Sequence, residues 1–437
     1  MATLTFALTS QFVVAQEVQI KSGPMVAYST MKEVLIWVQT TEDASVKVHY
    51  WPSGKPQDGH HSEPVHTNRD GSFIAHCIAD SLEPGIKYDY AVILDGQLVE
   101  LPYECSFKTQ DIWKWRGDAP DFSFAAGSCL YVNQPKYDRP GTPYGAHYEI
   151  LNSIDSVQPD FFLWLGDNTY LREADWNSKT GIDLRYEHTR SLKELKPLLA
   201  RTPNYAIWDD HDFGPNNSDR SYPLKQHASE TFRSYFPAPN RVFDQGVTHF
   251  VQWADCDFFM LDNRYWRSPN RRSDLDNPTI LGDEQIQWLI DALANSRAPF
   301  KFVVMGGQFL TTSAHGEHYI NVAPDERDYL IEKLHDLQIE GVIFLSGDVH
   351  FSEMSTLHRD GAYPIYEFTA SPLTSGVHKG DKSENTLQDP QTVSEQRNFM
   401  KFEISGSYRE RKLTARCFSS AGKMLWTRTI EAKDLRY

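Results

Sequence analysis

The sequence predicts an α/β domain that follows a smaller all-β domain. Three observations carry that prediction. Strand-like runs separated only by turns fill residues 17–112, apolar runs alternate with helical patterns from 121 onward, and those later runs stop abruptly at Gly, Ser or Asp. Close, regular spacing of aromatic and β-branched runs is how a sandwich reads, whereas strands spaced by helices read as crossovers on a parallel sheet. With 437 residues, 40% of them hydrophobic and 13% aromatic, the chain can fill two cores.

Residues 1–16 (MATLTFALTSQFVVAQ) are uncharged and close on Val13-Val14-Ala15. They read either as a shortened secretory signal lacking its basic start, which would make the protein periplasmic or secreted, or as an ordinary first strand. In 17–112 the strand-like runs are 26–30, 33–40, 45–51, 72–79, 87–96 and 104–110, with turns at Pro52-Ser53-Gly54, Asp70-Gly71 and Pro84-Gly85. Several alternate apolar and polar residues, as one-sided strands do. The piece 82–90, where a Tyr enters the core after a Pro-Gly turn, resembles the corner of a fibronectin type III-like sandwich. No chemical cluster stands out here: His60, His61 and His66 read as solvated loop residues. Cys77 and Cys105 can pair only if they lie on neighbouring strands, while Cys256 and Cys417 read as buried thiols.

Residues 113–120 form a charged, Pro-containing connector, and 121–437 form the second domain. Its strands are expected at 122–126, 161–165, 205–208, 258–261, 302–305 and 342–345, and its helices at 147–157, 184–199, 224–235, 283–295 and 324–337. Helix 283–295 opens on Asp283 and Glu284 and aligns Ile286, Leu289, Ile290 and Leu293 on one face. Residues 376–397 are polar and aperiodic, hence a flap, and the chain ends in strands at 399–404, 412–418 and 425–430.

The formal charge of −16 argues against a nucleic-acid groove or an anionic membrane surface as partner, and no apolar run is long enough to span a bilayer. Chemistry gathers instead at the strand ends. The six apolar strands lead into Gly127-Ser128-Cys129, Gly166-Asp167-Asn168-Thr169-Tyr170, Asp209-Asp210-His211-Asp212, Asp262-Asn263-Arg264, Gly306-Gly307-Gln308 and Ser346-Gly347-Asp348-Val349-His350. Carboxyl ends of parallel strands are where open sheets collect ligands. Asp167, Asp210 and Asp348 offer hard oxygens for cations, whereas Cys129, Tyr170 and His350 favour a transition metal, a combination suited to two-metal hydrolysis. His211 is placed to protonate or stabilise a leaving oxygen and Arg264 to hold a phosphate oxygen. The four arginines of 264–272 suggest a positive wall for an anion, and His315, Glu317 and His318 suggest further groups at the mouth.

These motifs together resemble the PhoD-like alkaline phosphatase family, of the calcineurin-like metallophosphoesterases and related to purple acid phosphatases. The resemblance implies a four-layer sandwich of two mixed sheets flanked by helices, and a dinuclear centre, iron with calcium in the first instance and manganese or zinc as other candidates. It implies hydrolysis of phosphomonoester small molecules and also diesters. Carried over by position, Cys129 and Tyr170 ligate iron, Asp167 bridges, Asp210 holds the second metal, and Asp348 and His350 replace paired histidines. Gln308 stands where a His is usual and Asp212 where Glu is commoner, which leaves both roles open. Competing readings are a phosphodiesterase or phospholipase on the same scaffold and, from another class, a catalytically silent binding protein.

Overall fold

The computed structural model describes residues 18–437 except Ser273, His315, 380–383 and Arg409, so the segment 1–16 and His315 lie outside the described residues. The N-terminal region is a sandwich of two antiparallel sheets. One has three strands, Ile20–Ser29, Val34–Thr40 and Ile74–Ala79; the other is built around Ser45–Pro52 and Lys87–Leu94. Tyr88 makes the expected corner: its hydroxyl accepts the amide of Glu83 at 2.9 Å. In the three-stranded sheet Ile20–Ser29 and Val34–Thr40 are buried on both faces, while Ile74–Ala79 alternates. Val26, Val34, Ile36 and Val38 face the sandwich core, while Met25, Ala27, Leu35 and Trp37 join the core of the second region. Trp37 Nε1 of this sheet donates to Ser234 O (2.9 Å), and Tyr90 Oη of the facing sheet donates to Ala200 O (2.8 Å), so polar atoms join the two regions as well. Cys77 and Cys105 are free thiols: the first sits in the three-stranded sheet and the second beside the facing sheet, so no neighbouring-strand pair exists.

The second region holds two stacked six-stranded sheets flanked by helices. In the first, Phe122–Gly127, Phe161–Leu165 and Asn204–Ile207 run parallel, and Asn398–Ser405 adds an antiparallel set with Lys412–Ser419 and Met424–Glu431. In the second, Cys256–Met260, Lys301–Val304, Val342–Ser346 and Ala362–Thr369 run parallel between antiparallel edges His249–Trp253 and Glu353–Arg359. Interlocked rings join the sheets: Phe124 meets Phe258 and Phe302 edge-on, each at 5.3 Å, and Phe161 meets Phe258 at 5.4 Å. Such pairs add about 1 kcal/mol each beyond the area they bury.

Three expectations need correcting. The helix expected over 184–199 is broken: Lys179–Arg190 ends, a 3₁₀ turn follows, and Lys196–Arg201 restarts with Pro197 in its first turn. Proline removes a backbone donor that only a first turn can spare, and Leu184 is left exposed. The hairpin Glu353–Arg359 to Ala362–Thr369 was not foreseen, although Asp360-Gly361 between two β runs is a turn signal. The 376–397 segment is no free flap over its later half. Thr392 Oγ1 accepts from Met354 N, Leu387 O accepts from Thr356 N, and Asn385 donates to Glu353.

Candidate metal centre

The first sheet's three parallel strands end side by side, so the loops that follow converge. Gly166 makes that convergence feasible: its φ is 92°, and a Cβ there would lie 2.8 Å from Asp209 Cβ. Asp212 then fastens two loops at once. Its carboxylate accepts from Asn168 N (3.1 Å), Thr169 N (3.0 Å) and Asp209 N (3.0 Å), and with Asp209 it closes a capping box over helix Asp210–Phe213.

Within this framework two groups of ligand-type side chains form, each with its donor atoms within 4.8 Å of one another: Cys129, Asp167 and His350, and Asp167, Asp210 and His211. Asp167 belongs to both. Cys129 Sγ lies 3.6 Å from Asp167 Oδ2, and Tyr170 Oη lies 3.2 Å from His350 Nε2. His211 stacks on Tyr170 with centroids 4.3 Å apart, and its amide donates to Asp167 Oδ1 at 3.2 Å. Cys129, Asp167, Asp348 and His350 all have positive φ, 63°, 53°, 68° and 61°. Non-glycine residues there cost of order 1 kcal/mol each and concentrate at functional sites.

Burial governs the charges. It pushes the carboxyl of Asp167 well above the carboxylate range, aided by Asp210, Asp209, Asp212 and Asp348, and it raises the Cys129 thiol and the Tyr170 phenol in the same way, with Asp167 adding to both. Burial, then His378 and His211, lower His350 to about 3. At Asp210 burial opposes ionisation, but His211 and Arg264 outweigh it and bring the group down to about 2. Asp167, Asp209, Asp210 and Asp212 are almost solvent-free, and Asp209 Oδ2 has no hydrogen-bond partner. So many carboxylates with one guanidinium among them are short of positive charge, which bound cations would supply.

Other expected site residues go elsewhere. Asp348 stands outside both groups; its backbone O accepts from Cys129 Sγ at 3.5 Å, and its carboxyl is raised by burial and by Asp209, Glu317 and Asp210. Arg264 does not present a free guanidinium: it is buried, with its donors taken by Asp209, Glu317 and Ser218 O. Glu317 also binds Arg267, and Arg272 pairs with Asp274, so three of the four arginines of 264–272 are engaged by carboxylates. Gln308 is held by its amide nitrogen, which donates to Glu353 (2.7 Å) and Thr369 (3.1 Å). His318 is largely buried, and burial lowers it to about 4. Sequence reasoning missed Asp209 as the anchor of Arg264, and it missed Tyr144, Ser371 and Ser375. Ser371 Oγ contacts Cys129 Sγ at 3.3 Å, and Ser375 Oγ contacts His350 Nε2 at 3.3 Å. Nothing in their polar, aperiodic surroundings marks them.

Comparison with known proteins agrees with this geometry. The family model of PhoD-like phosphatases matches residues 124–415, and residues 17–112 match a domain of unknown function. The chain is 27% identical over 367 residues to alkaline phosphatase D of Bacillus subtilis, covering 72% of this chain and 60% of that one. It is 22% identical over 232 residues to human acid sphingomyelinase-like phosphodiesterase 3b, covering 50% and 48%. It therefore spans about half to three fifths of the curated relatives it matches. Among solved structures, PhoD superposes with a TM-score of 0.74 at 18% identity over 94% of this chain and 91% of that one. A purple acid phosphatase, PPD1 from yellow lupin seeds, gives 0.71 at 13% identity over 95% and 76%. The fold is thus that of the metallophosphoesterase sandwich. Among the described residues no helix is long and apolar enough to cross a membrane.

Proposed function

The chain belongs to the PhoD-like phosphatase family, and from that premise we propose that it hydrolyses phosphoester small molecules, phosphomonoesters foremost, at a dinuclear metal centre. One observation carries the proposal: Asp167 is shared by two groups of metal-ligand side chains. Cys129, Tyr170 and His350 would hold one ion with Asp167, and Asp210 the other with Asp167, with Asp348 outside both groups. A thiol and a phenol beside an imidazole suit iron, and carboxylate oxygens suit calcium; manganese or zinc are the other candidates. Bound ions at such a centre supply Lewis acidity toward phosphoryl oxygen and acidify water.

The protein's own groups complete the chemistry. His211, with its ring on Tyr170 and its backbone tied to Asp167, delivers a proton to the departing oxygen. Arg264 acts through other residues: it anchors Asp209 and lies 4.0 Å from Asp210 Oδ1, which favours the ionised, ligating form of Asp210. Three measurements test the reading. Chelator stripping, or Asp167→Asn, should abolish hydrolysis of p-nitrophenyl phosphate, and unaltered turnover overturns the metalloenzyme. Elemental analysis with a visible absorption band from Cys129 and Tyr170 tests iron. Rates on p-nitrophenyl phosphate and its bis-ester rank monoester against diester. A periplasmic or secreted location is read from residues 1–16 alone, and N-terminal sequencing of the mature protein tests it.

A further inference from the structure

Tyr144 lies outside every recognised motif, yet three contacts build it into the centre. Its hydroxyl is 3.0 Å from His350 Nδ1. Its ring packs edge-on against Tyr131 at 5.0 Å, and Tyr131 in turn lies 5.0 Å from Tyr170. On its far side it presses on Gly376, where a Cβ would come within 2.7 Å of the ring. His350 is thereby clamped, because His378 lies against its ring at 4.5 Å and donates its backbone N–H to His350 O at 3.1 Å.

A neutral imidazole has one N–H and one lone pair, and only the lone pair can bind a cation. Nε2 is the nitrogen on the Tyr170 side, 3.2 Å from that hydroxyl. If Nε2 is to present its lone pair there, Nδ1 must carry the proton, and the atom placed to accept that proton is the Tyr144 oxygen. An accepting phenol keeps its own O–H free to donate. Tyr144 is 40% exposed, so the residue stands at the solvent boundary of the site, where an anion entering from solvent would meet it first.

We propose that Tyr144 is a positioning residue for His350, fixing its tautomer toward the metal centre, and that its hydroxyl also donates to an oxygen of the incoming phosphoester. The proposal rests on the reading of His350 as a ligand. Partners that orient a ligating His are typically worth ~10–100-fold in metal affinity or activity.

The test uses the full-length protein with Tyr144→Phe, which removes only the hydroxyl. Zn²⁺ affinity, measured by competition with a chromophoric chelator, should fall by ~10–100-fold, and kcat/KM on p-nitrophenyl phosphate should fall at least as far. The melting temperature of the metal-free protein should stay at the wild-type value. Gly376→Ala, which keeps the hydroxyl but crowds the ring, should move both readouts the same way by a smaller factor. Zn²⁺ affinity and kcat/KM both within twofold of wild type in Tyr144→Phe would overturn the assignment. The underlying centre is judged separately: Asp167→Asn that still binds Zn²⁺ and turns over removes the centre itself, whereas an inert Tyr144→Phe beside a dead Asp167→Asn removes only the role given to Tyr144.

Discussion

The two six-stranded sheets end in motifs that look alike in sequence and behave differently in space. The first sheet's parallel strands deliver Cys129, Asp167 and Asp210 into one small volume with unbalanced negative charge. The second sheet's strands deliver Asp262 and Arg264 into networks of local partners and hold Gln308 by its amide nitrogen on Glu353. Asp262 accepts from Trp208 Nε1, Arg264 N and Tyr265 N at Oδ1 and from Val247 N at Oδ2, all at 2.8–3.0 Å, so local donors already satisfy much of its charge. A polar group at a strand end is therefore a ligand candidate only when its local donors do not saturate it. His350 is the second sheet's one contribution to the two ligand groups among the described residues, and it too leaves its strand through a left-handed backbone.

Substitutions can break this contrast, and the largest effect falls on the first sheet. Asp167→Asn should lower kcat on p-nitrophenyl phosphate by ~10³-fold or more, about 4 kcal/mol of transition-state stabilisation, with little change in melting temperature. Asp262→Ala should do the reverse in kind. It strands four buried donors and should cost about 4 kcal/mol of stability by denaturant titration.

Glu367 offers a titration on the second sheet. Buried, and accepting from Phe309 N (2.8 Å) and Leu310 N (2.7 Å), its carboxyl is raised to about 7, chiefly by burial. Because the folded state holds the proton more tightly than the unfolded chain, its contribution to stability is full below the unfolded value and is lost as pH rises to about 7. Wild type should lose about 3 kcal/mol relative to Glu367→Gln across that window, read from urea midpoints. Identical pH profiles would remove the assignment. The smallest expected effect is Gln308→Met: about 1–2 kcal/mol of stability for two lost hydrogen bonds, with kcat/KM within about twofold. A large catalytic loss there would return Gln308 to the metal centre and blur the contrast between the sheets.

Strand ends were legible in the sequence because a short apolar run stopped by Gly and Asp is a local signal. Asp167 and Cys129 stand out only because the pattern repeats at six strand ends, and the iron-ligand role of Cys129 comes only through the family resemblance. What the same residues do next depends on partners supplied from far away. Arg264 read as a phosphate-binding group until Glu317, 53 positions on, closed on it, and the role of Gln308, open in the sequence, depends on Glu353, which holds its amide nitrogen. The long helix expected near residue 190 failed for a local reason, Pro197, that apolar spacing alone does not weigh. Tyr144 was invisible because the loop holding it has neither period nor motif, and its role comes only from proximity to His350.

The double-sided burial of Ile20–Ser29 and Val34–Thr40 has a practical consequence for cutting the gene. A fragment starting at residue 113 would carry every ligand candidate and yet expose the apolar floor on which Met25, Leu35 and Trp37 rest, together with the orphaned carbonyls of Ala200 and Ser234. Such a surface invites aggregation. The boundary that looks like a linker in the sequence is a poor place for an expression truncation, and the β-sandwich serves the second region as a fixed lid on its hydrophobic core.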